Sequence, residues 1–148
     1  MGGYGGGGMI APGQGTRVKG GFNGPAFDEE EYIETIPKLF EHLRVKLGKQ
    51  VKLCHDVHEH LSPTMAVELA KRLEPYRMFF VEDLLPPELV QWFANIKQVT
   101  STPIAMGEIF TNPQEWVPCI TNRWIDFARP RISTIGGITP AKKVVALC

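Results

Sequence analysis

An interval constrains this chain more than any composition. Asp56, Glu82 and Glu108 each close a short apolar run, and 26 residues separate each from the next. The runs cover 51–56, 78–82 and 104–108, and a fourth, 124–129, ends on Arg129. Each is too short for a helix and apolar enough for a buried strand. Between and after them come segments that open on Ser62-Pro63, Pro86-Pro87, Asn112-Pro113 and Thr139-Pro140. Proline at the first helical position forfeits no hydrogen bond, and Ser, Asn or Thr before it can cap. Strands alternating with helices fold as a parallel sheet with right-handed crossovers. The interval fits one βα unit, so it predicts three acids at the C-terminal ends of neighbouring strands, which is the active-site face of a βα barrel. A doubly wound open sheet is the alternative, and it too carries its site at strand C-termini.

Four units are half of an eight-unit barrel, and residues 142–148 read as an unfinished helix without a C-cap. The expectation is therefore an α/β fold: a partial TIM-type (β/α) barrel of about four units over 28–148, a piece of a larger protein with Met1 as an internal methionine. Residues 1–27 read as a separate irregular segment. Of 15 glycines, 11 fall in residues 1–24, which hold Arg17 and Lys19 but no acid. Such a stretch buries no core of its own and is a flexible tail or a long loop shaped by the rest of a protein. It is no phosphate loop, since it lacks G-x-x-x-x-G-K-[ST] and no strand precedes it. Asp28 and Glu31 then read as a capping box. Ile33, Ile36, Phe40, Leu43 and Leu47 recur at helical spacing, Gly48 ends the helix, and Pro37 is expected to kink or split it.

Charge excludes one class of partner. Lys plus Arg and Asp plus Glu are both 16, so no basic surplus exists for nucleic-acid phosphates. No apolar run approaches the roughly 20 residues of a membrane span. No secretory signal opens the sequence. Cys54, Cys119 and Cys148 are odd in number and widely spaced, which points to free thiols in a reducing compartment, the cytoplasm.

Three carboxylates brought together would repel one another and resist desolvation. A lone acid at a strand end more often caps a helix or pairs with Arg or Lys. Three at equal spacing favour a hard divalent cation such as Mg²⁺, which takes oxygen ligands. In the run from His55 to His60, alternate residues of an extended strand share a face, so Asp56 and His58 would point into the site and His55 toward the helices. An imidazole beside a metal-bound substrate serves as a general acid or base. Zinc held by the three histidines is the weaker reading, because H-x-x-H-x-H is no established ligand spacing. His60 reads as a solvated loop residue. Arg129 either clamps a substrate carboxylate or pairs with Glu108. Gly136-Gly137 marks either a ligand's approach to the backbone or a tight turn. Tyr4 is the one side chain of the Gly-rich start with acid–base capacity, and Met78-Phe79-Phe80 and Trp92-Phe93 read as core.

Asp56-Val57-His58, Leu73-Glu74-Pro75-Tyr76-Arg77, Val81-Glu82-Asp83, Gly107-Glu108-Ile109-Phe110 and Gly136-Gly137-Ile138-Thr139 together resemble the mannonate dehydratase group of the enolase superfamily, some of whose members are labelled starvation-sensing proteins. The resemblance runs from about Asp28 to the end. It implies a (β/α)₇β-type barrel with a separate capping domain, and Mg²⁺ on Asp56, Glu82 and Glu108. It implies His58 as the general acid, Arg129 near the substrate, and Tyr4 as the tyrosine of a Tyr–Arg base pair whose arginine lies upstream of Met1. Thr134 stands where many members carry a histidine. The implied activity is a hydro-lyase that dehydrates an aldonic acid, D-mannonate or a relative, to a 2-keto-3-deoxy acid, in a homo-oligomeric parent. The other reading is a non-catalytic regulatory homologue or an inactive truncated product.

Overall fold

The computed structural model describes residues 9–10 and 26–148. Tyr4 and most of the Gly-rich stretch lie outside the described residues. Within residues 1–27, β1 (Met9–Ile10) pairs antiparallel with β2 (Ala26–Phe27).

Helix α1 (Glu29–Leu47) opens on Asp28, which supplies one half of the expected capping box. The Asp28 carboxylate accepts from the backbone N–H groups of Glu30 and Glu31 at 3.0 and 3.1 Å. Glu29, Glu30 and Glu31 fill the first turn and Arg44 and Lys46 the last, which complements the helix dipole. Pro37 does not split the helix. The carbonyl it leaves without a helical donor is that of Ile33, and Arg72 donates to that oxygen from α2 at 3.4 Å. Glu29 also accepts from the Ser62 N–H and hydroxyl, at 2.8 and 3.1 Å, which ties the start of α1 to the start of α2.

The four apolar runs condense to shorter strands: β3 (Cys54–Asp56), β4 (Phe80–Glu82), β5 (Ile104–Met106) and β6 (Phe127–Ala128). They pair in parallel in the order β3-β4-β5-β6. The crossovers carry α2 (Pro63–Arg72), α3 (Trp92–Val99) and α4 (Pro113–Thr121), and α5 (Ile138–Leu147) follows β6. Strands that neighbour each other in chain order, with no reversal, are the layout of a barrel wall and not of a doubly wound sheet. α4 has the full capping box, with Asn112 accepting from the Gln114 N–H at 3.0 Å and Glu115 accepting from the Asn112 N–H.

One sheet face carries His55, Val81, Ile104 and Met106, all buried. The last three join Leu69, Phe93 and Ile96 of the helices in one apolar cluster. Burying each such side chain contributes about 1.5–3 kcal/mol. Within the expected core pairs, Phe93 is fully buried, but Trp92 is 37% exposed because it begins α3 on the solvent side. Ile138 and Val145 of α5 are 70% and 73% exposed, beside the free edge of β6.

Candidate metal and acid–base site

Asp56 and Glu82 are register partners, so their side chains leave the same face of the sheet. Glu108 arrives differently from the expectation. Glu82 pairs with Ala105, and Glu108 stands three residues further on, in a turn beyond the end of β5. Gly107 makes that turn at φ +140°, and a Cβ there would come within 3.1–3.2 Å of the Arg129 backbone and 3.1 Å of the Phe110 ring. Only glycine meets both demands. The turn brings the Glu108 carboxylate back, so that ligand atoms of Asp56, His58 and Glu108 lie within 4.8 Å of one another.

His58 reaches this group for a reason the alternation argument missed. β3 ends at Asp56, and His58 and Glu59 are left-handed, at φ 59° and 61°. Each such residue costs roughly 1–2 kcal/mol without glycine. The turn is pinned by Val57 N–H on the Glu82 carbonyl at 2.9 Å and by Glu59 N–H on the Asp83 carbonyl at 2.8 Å. His58 Nδ1 meets Asp56 Oδ2 at 3.1 Å. An ionised carboxylate only accepts, so Nδ1 carries the proton in this contact.

His55 faces the helices, as expected. The Tyr32 hydroxyl bonds its Nε2 at 2.8 Å, and Phe40 meets it edge-on. Burial drives the His55 pKa down to about 4, against the pull of the Asp56 charge. Burial, then Asp56, pushes the Tyr32 phenol up. Both stay neutral near pH 7. His60 follows the turn outside any helix or strand and is half-buried, its ring 5.2 Å from that of Phe27 and 6.0 Å from that of His58, centroid to centroid.

Arg129 does not make the expected pair with Glu108. Arg129 donates to Glu82 Oε2 at 2.6 Å and lies over the Phe80 ring, while Glu108 pairs with Arg131. Arg131 was overlooked, although Arg129-Pro130-Arg131 places two arginines on alternate positions. Asp83 was read only as part of a motif. It is 1% exposed, and its Oδ1 accepts from the Gly107 N–H at 3.3 Å. Burial, with Glu82 and Glu59 adding, lifts its pKa to about 7. Burial also raises Glu82, with Asp56 adding while Arg129 and His58 oppose, and it raises Glu59. Asp56 Oδ1 and Asp83 Oδ2 are buried with no hydrogen-bond partner. An orphaned carboxylate oxygen among crowded acids calls for positive charge, and an oxygen-rich donor set suits a hard divalent cation. Gly136 and Gly137, at φ +94° and +100° with open space around an added Cβ at Gly137, make a tight turn into α5.

Parallel strands with acids gathered at their C-terminal ends, backed by helices, define an α/β domain of the barrel class. The chain belongs to the Enolase C-terminal domain-like family, whose model matches residues 14–148. The match begins at residue 14, within the Gly-rich segment. A D-galactonate dehydratase family member of Paenibacillus sp. (strain JDR-2) is 48% identical over 148 residues, covering 99% of this chain and 36% of that protein. The member RspA of Pantoea ananatis is 52% identical over 135 residues, covering 91% of this chain and 32% of the relative. The crystal structure of an enolase from Pantoea ananatis with bound D-gluconate and Mg aligns with a TM-score of 0.83 at 50% identity, over 92% of this chain and 32% of that one. L-Talarate dehydratase from Polaromonas sp. JS666, complexed with Mg and L-glucarate, aligns at 0.66 with 29% identity, over 72% of this chain and 30% of that one. The chain spans about a third of the length of the curated relatives it matches. The relatives carry the D-galactonate name, so the similarity supports the superfamily and not the mannonate group in particular.

Proposed function

We propose that this chain supplies the metal and acid half of a Mg²⁺-dependent sugar-acid dehydratase. The observation that carries the reading is the gathering of Asp56, His58 and Glu108 within 4.8 Å, with Glu82 level with Asp56 on the same face. Asp56, Glu82 and Glu108 are the ligands in this reading, and the orphaned Asp56 Oδ1 fits that role. Mg²⁺ held by these carboxylates would supply the positive charge that offsets the charge developing as the α-proton leaves.

The other steps belong to side chains. Tyr4, outside the described residues, is the proposed member of the base that takes the C2 proton. Arg129, bonded to Glu82 through Nη1, keeps its other N–H groups for the substrate carboxylate in this reading. His58, held at Nδ1 by Asp56, would act as the imidazolium, giving its Nε2 proton to the departing C3 hydroxyl and returning to the neutral ring. Water leaves, and the enol becomes a 2-keto-3-deoxy acid. The substrate class is a six-carbon aldonate. D-Mannonate is the finer reading, on the sequence resemblance. D-Galactonate enters through the names of the relatives, and D-gluconate through the ligand in one solved relative. The three free cysteines among the described residues fit a cytoplasmic setting.

Assay of the whole protein with D-mannonate, D-gluconate and D-galactonate, with Mg²⁺ and with chelator, tests the reading. The expected result is metal-dependent release of a 2-keto-3-deoxy acid from at least one of them. Dehydration of none would favour the regulatory homologue.

A further inference from the structure

We infer that Asp83 is a positioning residue for Glu108, its carboxylate holding the turn that carries Glu108 to the cation site; this rests on Asp56, Glu82 and Glu108 being the ligands. In β4 the Val81 N–H donates to the Pro103 carbonyl at 2.8 Å, and two residues on the Asp83 N–H donates to the Ala105 carbonyl at 3.0 Å. The next evenly spaced bond of this parallel ladder would run from the Gly107 N–H to the Asp83 carbonyl. Asp83 instead turns left-handed, at φ 46°, and its carbonyl accepts from the Glu59 N–H, beyond β3, at 2.8 Å. The Gly107 N–H, deprived of its ladder partner, donates to Asp83 Oδ1 at 3.3 Å. The side chain thus stands in for its own carbonyl.

Three strand ends therefore meet at one residue. The Asp83 carbonyl receives the turn after β3, its amide closes the β4–β5 ladder just after Glu82, and its carboxylate receives the turn after β5 that leads to Glu108. Gly107 has little freedom on its other side, where a Cβ would meet the Arg129 backbone at 3.1–3.2 Å and the Phe110 ring at 3.1 Å. Asp83 is 1% exposed, so its bond to Gly107 lies away from water. A buried N–H stripped of its acceptor is costly, and the turn would shift to find another, taking Glu108 with it. Asp, Asn and Gly are the residues that enter the left-handed region most readily, and of these only Asp and Asn also offer a side-chain acceptor. Groups that orient a metal ligand typically matter about 10–100-fold in metal affinity.

The test uses the whole protein that carries this chain. Asp83→Asn and Asp83→Gly both suit a left-handed backbone, but only Asn keeps an acceptor oxygen for the Gly107 N–H. Calorimetric titration of Mg²⁺ is expected to give an affinity within about threefold of wild type in Asp83→Asn and about 10-fold weaker in Asp83→Gly. In a Glu108→Gln background, Asp83→Gly costs less than about threefold more, because the ligand it positions is already gone. The second readout needs no metal: solvent exchange of the Gly107 amide, picked out by isotope-labelling methionine carbonyls and glycine amides together, which selects the Met106–Gly107 bond. Exchange runs about 10-fold faster than wild type in Asp83→Gly and near the wild-type rate in Asp83→Asn. Equal Mg²⁺ losses in the two variants would make charge, and not the acceptor oxygen, the contribution of Asp83 and would overturn the inference. A full additive loss beside Glu108→Gln, or an unmoved Gly107 amide in Asp83→Gly, would overturn it too. If the wild type binds no Mg²⁺, the ligand reading fails, and the amide alone decides whether Asp83 holds the Glu108 turn.

Discussion

His55 and Asp56 are neighbours in the chain and lie on opposite faces of one sheet. On the helix-covered face, His55 has a single buried partner, Tyr32, and both groups stay neutral. On the open face, Asp56 shares its surroundings with Glu82 and Glu108, and one of its oxygens is buried without a partner. The first arrangement is closed by neutral groups, whereas the second is charged: Arg129 pairs with Glu82, Arg131 with Glu108, and one Asp56 oxygen is left without a partner. The two faces treat polar groups differently: one buries a neutral hydrogen-bonded pair, and the other gathers charged groups at the strand ends.

That comparison breaks most readily at His58. His58→Asn is expected to cut aldonate turnover about 10²–10⁴-fold, because Asn keeps polarity but transfers no proton near pH 7. Urea unfolding of the same variant should match the wild type, since His58 belongs to the open face. A large stability loss with turnover intact would reverse the assignment of faces.

Leu69→Ala probes the other face. Leu69 is fully buried in the helix layer, and its truncation should cost roughly 2–5 kcal/mol in urea unfolding. Mg²⁺ affinity of the folded fraction, measured by calorimetry, should stay unchanged.

The pH dependence sharpens the contrast further. The folded pKa of Asp83 is raised to about 7, so the native state holds a proton that the unfolded chain releases above about 3.8. Stability from this group is lost as pH rises from 4 to 7. His55 has the opposite sign: its folded pKa is depressed to about 4, and stability is lost as pH falls from 6.5 to 4. In metal-free protein, Asp83→Asn removes the first contribution and unmasks the second. Its stability relative to wild type should climb with pH, by roughly 2 kcal/mol or more between pH 4 and 7, read from urea midpoints. A flat difference would mean that Asp83 is ionised in the fold.

The smallest effect is expected at the surface. Arg72 pairs with Glu34 and Glu68 while covering the Ile33 carbonyl. Arg72→Met should cost under about 1 kcal/mol in thermal unfolding, as partly exposed ion pairs do.

Much of this was legible in the chain, for definable reasons. Apolar runs report the βα alternation directly, and Asp28 and Gly48 bound α1 as they stand; of the expected Pro-led starts, Pro63 and Pro113 open α2 and α4, while α3 and α5 begin at Trp92 and Ile138. The interval between acids counts βα units but carries no sheet register, so it could not show Glu108 lying three residues beyond the partner of Glu82. Period-two alternation brought His58 to Asp56, yet the left-handed turn that does so is invisible to it. Asp83 escaped notice because it too turns left-handed, at φ 46°, just after its strand. The pairing of Arg129 with Glu82, and of Arg131 with Glu108, depends on how the strands stagger.

The central claim is that Asp56, Glu82 and Glu108 hold one divalent cation and that His58 stands beside it as the acid. Calorimetric titration of Mg²⁺ into the whole protein and its variants tests this most directly. The account predicts one site per chain, weakened at least about 10-fold by Asp56→Asn, Glu82→Gln or Glu108→Gln and nearly unchanged by His58→Asn. Binding that survives Glu82→Gln and collapses in His58→Asn would contradict it, and would make Asp56, His58 and Glu108 the ligand set instead.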